Sequence, residues 1–241
     1  MARKQAVVTG ASGGIGKAVA LALRDAGHDV LALGRDPAAL AWLADQGVTA
    51  RAVDMANPAA LPAALDGYAP EIVVNNAGMM PALTPFQDSD PAQIDRVVAV
   101  NLTSALHLTR LVVPGMCARG SGHVIFTGST AGHAPFPNLA LYCATKAALG
   151  GFAQALRMDL APHGVRVTEI VAGRVETGLY RDLLSDEARA AMYAGATAVQ
   201  PEDVAKMLIA VLDMPPHVDV ARFDILPTRQ TVPTGAKKET K

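Results

Sequence analysis

A glycine-rich segment joins the first apolar run of the chain, Gln5 to Thr9, to a helical pattern that begins at Gly14. Gly10 permits a tight turn, Gly14 lets the backbone approach a diphosphate, and Gly16 lets the helix pack on the strand. The start of that helix offers unpaired N–H groups and the positive end of its dipole to an anion. Glycines in a string are a weak signal alone, but this strand-to-helix junction makes them specific. We therefore predict a dinucleotide-binding turn formed by Gly10, Ser12, Gly13, Gly14, Ile15 and Gly16.

Apolar runs and helical patterns alternate along the whole chain. The runs are almost continuous in apolar residues, as expected of parallel strands that are covered on both faces. This alternation predicts a single α/β domain over residues 1–241, a doubly wound fold whose mostly parallel seven-stranded sheet has helices on both faces. The predicted strands are Gln5–Thr9, Asp29–Leu33, Thr49–Val53, Glu71–Val74, His123–Thr127, Val165–Val171 and a last strand within Val218–Leu226. The predicted helices are Gly14–Ala26, Pro37–Asp45, Pro58–Leu65, Ala92–Met116, Leu139–His163 and Glu202–Leu212.

Composition and charge narrow the class of protein. Of the 241 residues, 51% are hydrophobic and 18% are charged, which excludes a disordered chain. The net charge of −1 gives no reason to expect nucleic acid or an anionic membrane as a partner. Nothing approaches 18 consecutive apolar residues, and Cys117 and Cys143 cannot form a disulfide framework. We expect a cytoplasmic protein with no metal site and no membrane span, and a loose charged tail over about 234–241.

The end of the second predicted strand discriminates between the two nicotinamide dinucleotides. NAD sites place a carboxylate there for the ribose hydroxyls, whereas NADP sites supply a cation for the 2′-phosphate. Here the strand runs into Gly34 and Arg35, and Asp36 stands before Pro37 as expected for the N-cap of a helix. Arg35 is placed to pair with a 2′-phosphate. The pattern favours NADP, as NADP+ or NADPH, over NAD.

Tyr142 and Lys146 lie four residues apart near the start of a long helical pattern, which puts the phenol and the ammonium on one helix face. A free tyrosine has a pKa of about 10 and is a poor acid–base catalyst near neutrality. A nearby ammonium, together with the positive nicotinamide of an oxidised cofactor, favours the phenolate and lowers that pKa. Ser129 follows a predicted strand and can bond the substrate oxygen opposite the phenol. Asn101, on the preceding long helix, is a candidate to hold a water that passes protons onward from Lys146.

Together these motifs resemble the short-chain dehydrogenase/reductase family over essentially the whole chain. They match its TGxxxGxG turn, its NNAG segment at Asn75–Gly78, its YxxxK pair and its catalytic Asn and Ser. The resemblance implies a Rossmann-type fold in which Tyr142 is the general acid/base, Ser129 positions the carbonyl and Lys146 holds the nicotinamide ribose. Asn101 completes the proton relay in this comparison. The further cofactor residues that it implies are Asp54, which meets the adenine amino group, and Met55, Asn76, Ala77, Gly78, Gly173, Val175 and Thr177.

One position departs from the family pattern. After the sixth strand the family usually has Pro-Gly, whereas here Ala172 precedes Gly173. The loss of a proline that fixes φ is expected to loosen the start of the following loop. That loop, about 174–200, is one of three segments that the resemblance places around the substrate. The candidate substrate residues in these segments are Met80, His133, Phe136, Arg174, Tyr180 and Arg181.

A narrower resemblance concerns the substrate. The segments RGSGHVIFTGSTAG, YCATK and PEDVA are similar to those of the NADP-dependent 3-hydroxy acid (serine-type) dehydrogenase branch of the family. The branch implies oxidation of a small hydroxy acid, or reduction of the matching semialdehyde, and an arginine near the reacting carbon can bind the acidic group. The alternative enzyme is a ketoreductase for a bulkier apolar or aromatic ketone, which Met79 and Met80 would suit. An alternative of another class is a sensor that binds NADP without chemistry.

The two long helical patterns, Ala92–Met116 and Leu139–His163, carry much apolar surface. Members of the family usually pair through these two helices, so the resemblance implies a homotetramer with closed symmetry. The other expected partner is the small-molecule substrate.

Overall fold

Seven strands and eight α-helices alternate through the residues that the computed structural model describes, 3–195 and 198–229. The strands are β1 Gln5–Thr9, β2 Asp29–Gly34, β3 Thr49–Ala52, β4 Ile72–Asn75, β5 Gly122–Thr127, β6 Val165–Ala172 and β7 Arg222–Ile225. The helices are α1 Gly14–Asp25, α2 Pro37–Asp45, α3 Leu61–Ala64, α4 Pro91–Val98, α5 Ser104–Arg119, α6 Ala140–Leu160, α7 Asp186–Tyr193 and α8 Pro201–Leu212. Six predicted strands lie within one residue of their expected bounds, and the seventh lies inside its predicted range. The predicted tail, 234–241, lies outside the described residues.

The strands form one sheet in the order β3-β2-β1-β4-β5-β6-β7. Every pairing between the described strands is parallel, so the sheet is wholly rather than mostly parallel there. The strand order reverses at β1, because β2 and β3 lie on one side of it and the later strands lie on the other. In doubly wound sheets ligands bind outside the carboxyl ends of the strands at such a reversal. The fold therefore brings the glycine-rich turn after β1 beside the NNAG segment after β4.

Both faces of the sheet are covered, which explains the continuous apolar runs. In β1, Ala6 and Val8 belong to the core that α1 and α8 cover, whereas Val7 belongs to the core under α5 and α6. All three side chains are fully buried. Successive residues of a strand point to opposite faces, so a strand covered twice needs apolar residues at every position. Each large side chain buried in this way contributes about 1.5–3 kcal/mol.

Three α-helices begin at a proline. α2 begins at Pro37 as predicted, and α4 and α8 begin at Pro91 and Pro201, one residue before the predicted starts. Asp36 accepts hydrogen bonds from two backbone N–H groups of the first turn of α2, at 2.9 and 3.1 Å. The segment predicted as a helix over Pro58–Leu65 instead begins as a 3-10 turn at Pro58–Ala60 and continues as the short α3. Asn57 makes no side-chain bond to cap it, so the start is weaker than at Asp36.

The segment predicted as a helix over Ala92–Met116 is continuous but irregular. A π-helical turn at Ala99–Thr103 lies between α4 and α5 and carries Asn101. By length and apolar composition this 29-residue stretch, Pro91–Arg119, is also long enough to cross a membrane. Leu108, Val112 and Met116 are instead buried against the sheet, as in the core helix of a globular domain.

The loop between β6 and α8 contains a helix, α7, that the sequence analysis did not predict. Ser185 caps it by accepting a hydrogen bond from the N–H of Ala188 at 3.2 Å. Two acidic residues, Asp186 and Glu187, occupy its first turn. A capping serine followed by acidic residues is a helix-start signal, so this element could have been predicted.

The start of this loop is held by backbone hydrogen bonds. Gly173 N–H donates to the carbonyl of Ile225 on β7, and Glu176 N–H donates to the carbonyl of Val199, both at 2.9 Å. Val199 lies at the far end of the loop, so the second bond joins the two ends. These two bonds hold the start of the loop just after Ala172, and the looser loop expected from the missing proline stays a prediction.

Candidate active site

Close backbone contacts shape the glycine-rich turn between β1 and α1. Gly10 and Gly14 have φ angles of +65° and +51°, a region that L side chains rarely adopt. A Cβ on Gly10 would lie 2.8 Å from the Cα of Ala77, and one on Gly16 would overlap the carbonyl oxygen of Gly10. At Gly13, the N-cap of α1, no atom lies within 4 Å of such a Cβ. The turn is thus closed toward the protein and open at the helix N-terminus, which suits a diphosphate.

The end of β2 is the place where NADP and NAD sites differ. Ser12 Oγ accepts hydrogen bonds from the backbone N–H groups of Arg35 at 3.2 Å and Asp36 at 3.4 Å. The Asp36 carboxylate caps α2, so it is used by the helix. Arg35 is exposed, and its guanidinium forms no hydrogen bond or ion pair with the described residues. The Arg35 guanidinium is available to a 2′-phosphate, whereas the Asp36 carboxylate is occupied at the helix start. This arrangement fits NADP better than NAD.

Asp54 follows β3 at the same edge of the sheet. Its Oδ1 accepts a hydrogen bond from Ala56 N–H at 3.0 Å, and its Oδ2 lies 3.3 Å from an Arg96 guanidinium nitrogen. The bond from Ala56 and the charge of Arg96 lower the pKa of Asp54, so it stays an ionised acceptor. The neighbouring Met55 side chain is buried in the core, so Met55 would meet a cofactor through its backbone.

The NNAG segment ties three strand ends together. Thr9 Oγ1 accepts hydrogen bonds from the N–H groups of Asn76 at 3.0 Å and Ala77 at 2.9 Å. The Asn76 side chain donates to the Thr9 carbonyl at 3.0 Å and accepts from Thr127 Oγ1 at 3.2 Å. These bonds connect the ends of β1, β4 and β5, so Asn76 fixes the floor of the candidate site.

The predicted cofactor residues after β6 lie against the same turn. The methyl group of Thr177 would be 3.0 Å from a Cβ on Gly14. Thr177 Oγ1 also accepts a hydrogen bond from Leu179 N–H at 3.3 Å. Val175 is buried and bridges to Val199, so the segment that starts at Gly173 is held in place beside α1.

Asn101 is buried in the π-helical turn and is fixed by three hydrogen bonds. Its Oδ1 accepts from Met79 N–H at 2.7 Å, and its Nδ2 donates to the Met79 carbonyl at 2.9 Å and to Thr145 Oγ1 at 3.3 Å. Asn101 Oδ1 and Lys146 Nζ each lie 3.7 Å from the position of a Cβ on Gly78. The amide therefore connects the segment after β4 with α6 in the neighbourhood of the lysine.

Ser129, Tyr142 and Lys146 meet where β5 ends and α6 begins. The Ser129 hydroxyl accepts a hydrogen bond from Ala131 N–H at 3.1 Å and lies near enough to the Tyr142 phenol to act on its pKa. Lys146 Nζ donates to the carbonyl of Thr127 at 2.7 Å and lies 5.7 Å from the centroid of the Tyr142 ring. Tyr142 and Lys146 are 8% and 4% exposed. The three groups predicted from the sequence are thus adjacent, with Tyr142 and Lys146 shielded from water and Ser129 half-buried.

Burial dominates the protonation of these groups. It raises the pKa of Tyr142 to about 12, although the nearby Ser129 hydroxyl acts in the opposite direction. Burial also lowers the pKa of Lys146 to about 8. In the protein alone, the apolar surroundings of the phenol therefore keep its pKa high, and the lowering expected when the oxidised cofactor is bound stays a prediction.

The substrate candidates separate into two groups. Met80 and Tyr180 pack in an apolar cluster around the phenol, together with the residues Ala131, Leu139, Tyr142, Cys143, Leu179 and Leu183. Phe136 is 47% exposed. Arg174 donates to the Met192 carbonyl at 3.2 Å, and the Arg181 guanidinium lies beside Gly178. The structure thus brings Met80 and Tyr180 to the phenol and gives the arginines contacts within the loop.

His133 has a partner that the sequence analysis missed. Its Nε2 is hydrogen-bonded to Oε1 of Glu169 on β6 at 3.1 Å. The available signal was a single carboxylate inside the apolar run of the sixth strand. Such a residue is almost never fully buried unless it is paired.

Comparison with known proteins agrees with this geometry. The sequence profile of the short chain dehydrogenase family matches residues 4–188. The chain is 44% identical to a short-chain type dehydrogenase/reductase of Sinorhizobium fredii over 94% of this chain and 92% of the relative. It is 33% identical to an NADP-dependent 3-hydroxy acid dehydrogenase of Salmonella typhi over 93% of this chain and 95% of the relative. The fold matches the closed form of serine dehydrogenase complexed with NADP+ with a TM-score of 0.90 and 31% identity, over 95% of this chain and 97% of that one.

A parallel sheet with a glycine-rich turn at its reversal and an adjacent Ser–Tyr–Lys set is the arrangement of a dinucleotide-dependent oxidoreductase. This chain belongs to the short-chain dehydrogenase/reductase family. NADP is the cofactor that the comparisons support, and the residues at the end of β2 fit it.

Proposed function

We propose that the protein interconverts an alcohol and a carbonyl compound with NADP(H), using Tyr142 as the general acid/base. The observation that carries this proposal is the cluster of buried Tyr142 and Lys146 with half-buried Ser129 beside the glycine-rich turn. NADP is held at its 2′-phosphate by Arg35 and at its diphosphate by the N-terminus of α1. The remaining cofactor contacts come from Asp54, Met55, Asn76, Ala77, Gly78, Tyr142, Lys146, Gly173, Val175 and Thr177.

The residues of the site divide the chemistry between them. When bound, NADP+ supplies a hydride acceptor for the alcohol carbon, and its positive ring favours the Tyr142 phenolate. The phenolate removes the hydroxyl proton as the carbonyl forms, and the phenol returns that proton in the reverse direction. Ser129 donates to the substrate oxygen and so orients it toward the phenol. Lys146 uses one N–H on the Thr127 carbonyl, which leaves two for the ribose and for the proton relay past Asn101.

The proposed substrate is a small hydroxy acid or the matching semialdehyde. Two relatives support this class, since their names specify a 3-hydroxy acid and serine. Arg174 is the residue proposed to receive the acidic group. Burial raises the pKa of Tyr180, and the positive charge of Arg174 opposes that rise. Tyr180 packs in the cluster around Tyr142, so the charge of Arg174 acts on a residue of that cluster.

One observation favours the alternative of a ketoreductase for a bulkier apolar or aromatic ketone. The cluster around the phenol, which includes Met80, Leu139, Leu179 and Leu183, is almost entirely apolar. Such a wall stabilises an apolar substrate and offers nothing to a carboxylate.

We also propose that the protein is a cytoplasmic homotetramer that associates through the helices Pro91–Arg119 and α6. Leu111 on α5 and Met158 on α6 support this, since they are 43% and 64% exposed. Light scattering at working concentration tests it. A tetramer is expected, and a monomer would contradict the proposal.

The experiment that tests the proposed function follows cofactor absorbance with NADP and NAD against two sets of alcohols. One set contains serine, 3-hydroxypropionate and related hydroxy acids, and the other contains aryl and alkyl secondary alcohols. Turnover of the acids with NADP, with a raised KM in Arg174→Leu and an unchanged KM in the distant Arg3→Leu, supports the proposal. Turnover of the apolar alcohols alone favours the ketoreductase. No turnover of either set in the presence of bound NADP contradicts both.

A further inference from the structure

A buried carboxylate, Glu169 on β6, lies behind the candidate catalytic residues and takes no part in the chemistry proposed above. Its side chain is 2% exposed. Oε1 is hydrogen-bonded to His133 Nε2 at 3.1 Å, and Oε2 is buried with no hydrogen-bond partner among the described residues. Burying an ionised carboxylate is unfavourable unless a nearby charge or donor stabilises it. Glu169 therefore requires a stabilising partner beyond its single hydrogen bond.

Two glycines form the slot that holds this carboxylate. A Cβ on Gly150 would lie 3.0 Å from Glu169 Oε1, and one on Gly128 would lie 3.1 Å from Glu169 Cγ. Gly128 separates Thr127, whose carbonyl accepts the hydrogen bond of Lys146, from Ser129. Gly150 lies one turn beyond Lys146 on α6. The carboxylate thus sits between the segment that carries Ser129 and the helix that carries Tyr142 and Lys146.

The charge of this carboxylate acts on Lys146, which lies one turn before Gly150 on α6. Burial lowers the pKa of Lys146 to about 8, and the negative charge of Glu169 opposes that fall. Arg222, which pairs in register with Glu169 on the neighbouring strand, is already bound to Asp224 at 2.8 Å. The other titratable groups around the catalytic residues are the side chains of Tyr142, Cys143, Tyr180 and His133.

We propose that Glu169 is a positioning residue with two effects: its carboxylate is the buried counter-ion of Lys146, and through His133 it anchors the segment that carries Ser129. The first effect keeps the ammonium charged in surroundings that disfavour charge. The second holds the Ser129 hydroxyl against the phenol, because His133 ends the 3-10 turn that begins after Ser129. His133 was also a candidate substrate residue, but its Nε2 could contact a substrate only by breaking the hydrogen bond with Glu169. The proposal rests on the proposed function for its effect on turnover, but its effect on Lys146 is a property of the protein alone.

The first test is an NMR titration of the protein labelled at the lysine ε-carbons, with the Lys146 signal assigned from its loss in Lys146→Arg. Glu169→Gln preserves the shape of the side chain and removes its charge. We expect the Lys146 midpoint to move to lower pH by on the order of one unit. Glu71→Gln, which removes a carboxylate just before β4 at the opposite edge of the sheet, leaves the midpoint in place. If the Lys146 titration midpoint is unchanged in Glu169→Gln, Glu169 is not the counter-ion of Lys146.

The second test separates the anchor from the charge and does not depend on the folding of Glu169→Gln. His133→Leu removes the donor to Oε1, whereas His133→Gln keeps an N–H near the position of Nε2. We expect kcat to fall about tenfold in the leucine variant, as for the loss of a bond to a charged group, and to recover in the glutamine variant. NADPH affinity, measured by fluorescence, stays the same in both. If His133→Leu and His133→Gln have equal kcat values, the His133–Glu169 bond does not anchor the segment that carries Ser129.

The two proposals fail in different ways. If the protein turns over no alcohol, the proposed function fails, while the Lys146 titration still decides the role of Glu169. If the protein is active and the titration midpoint does not respond to Glu169→Gln, the positioning role alone fails.

Discussion

Replacing Arg35 with leucine is expected to weaken NADP binding selectively. Arg35 is exposed at the end of β2, and its guanidinium has no hydrogen-bond or ion-pair partner among the described residues. It is therefore available to a 2′-phosphate without breaking another contact. A charge-assisted hydrogen bond contributes about 1.5–3 kcal/mol, and solvent exposure places this one near the lower end. A loss of about 1.4–2 kcal/mol corresponds to a rise of about 10- to 30-fold in the KM for NADP.

The assay compares the KM values for NADP and NAD in the wild type and in Arg35→Leu at two salt concentrations. The KM for NAD is expected to stay constant, since NAD has no 2′-phosphate, and the penalty for NADP is expected to shrink as salt rises. Arg3→Leu, an exposed arginine just before the amino end of β1, is the matched control. Equal increases for both cofactors, or a KM for NADP that does not change, would refute the assignment of Arg35.

Two further predictions concern the turn and the stability of the fold. Gly16→Ala places a Cβ against the Gly10 carbonyl oxygen and the Asn76 side chain, so we expect a loss of about 1–3 kcal/mol in unfolding free energy and weaker NADPH binding by fluorescence. His123 is buried on β5, and burial lowers its pKa to about 3. The unfolded chain protonates the His123 imidazole below about pH 6.5, whereas the folded chain keeps it neutral down to about pH 3. The free energy of unfolding is therefore highest above pH 6.5 and falls as the pH decreases toward 3. Between pH 7 and pH 5 the loss is about 2 kcal/mol, which His123→Gln should abolish in denaturant unfolding; an identical loss in the variant contradicts this role.

Local signals made most of the fold predictable. The central strands β1, β2, β4 and β5 are mainly apolar runs, and Asp36 and Pro37 mark the start of α2 without reference to the rest of the chain. The dinucleotide turn was equally predictable, because the tight contacts at Gly10 and Gly16 exclude any other residue. The Ser129, Tyr142 and Lys146 set required the family resemblance, since only the last two are linked by helical spacing.

Other features depend on tertiary packing and have no local signal. The π-helical turn at Asn101 follows from the bonds of its amide to Met79, which lies 22 residues away. In the protein alone, burial in the apolar cluster raises the pKa of Tyr142, and the four-residue spacing to Lys146 does not indicate that burial. The pairing of His133 with Glu169 joins a loop to a strand 36 residues later, and only the folded chain brings them together.

The most direct test of the central claim is the turnover of Tyr142→Phe, measured beside its NADPH affinity. The variant removes one buried hydroxyl and keeps the ring in its apolar cluster. General acid–base catalysis contributes about 100- to 10,000-fold, so kcat is expected to fall by at least about 100-fold while NADPH binding is retained. Tyr68→Phe, which removes a phenol that bonds Asp29 at 3.3 Å at the amino edge of the sheet, should keep full activity. A Tyr142→Phe variant that retains the wild-type kcat would show that the proton is carried by another group.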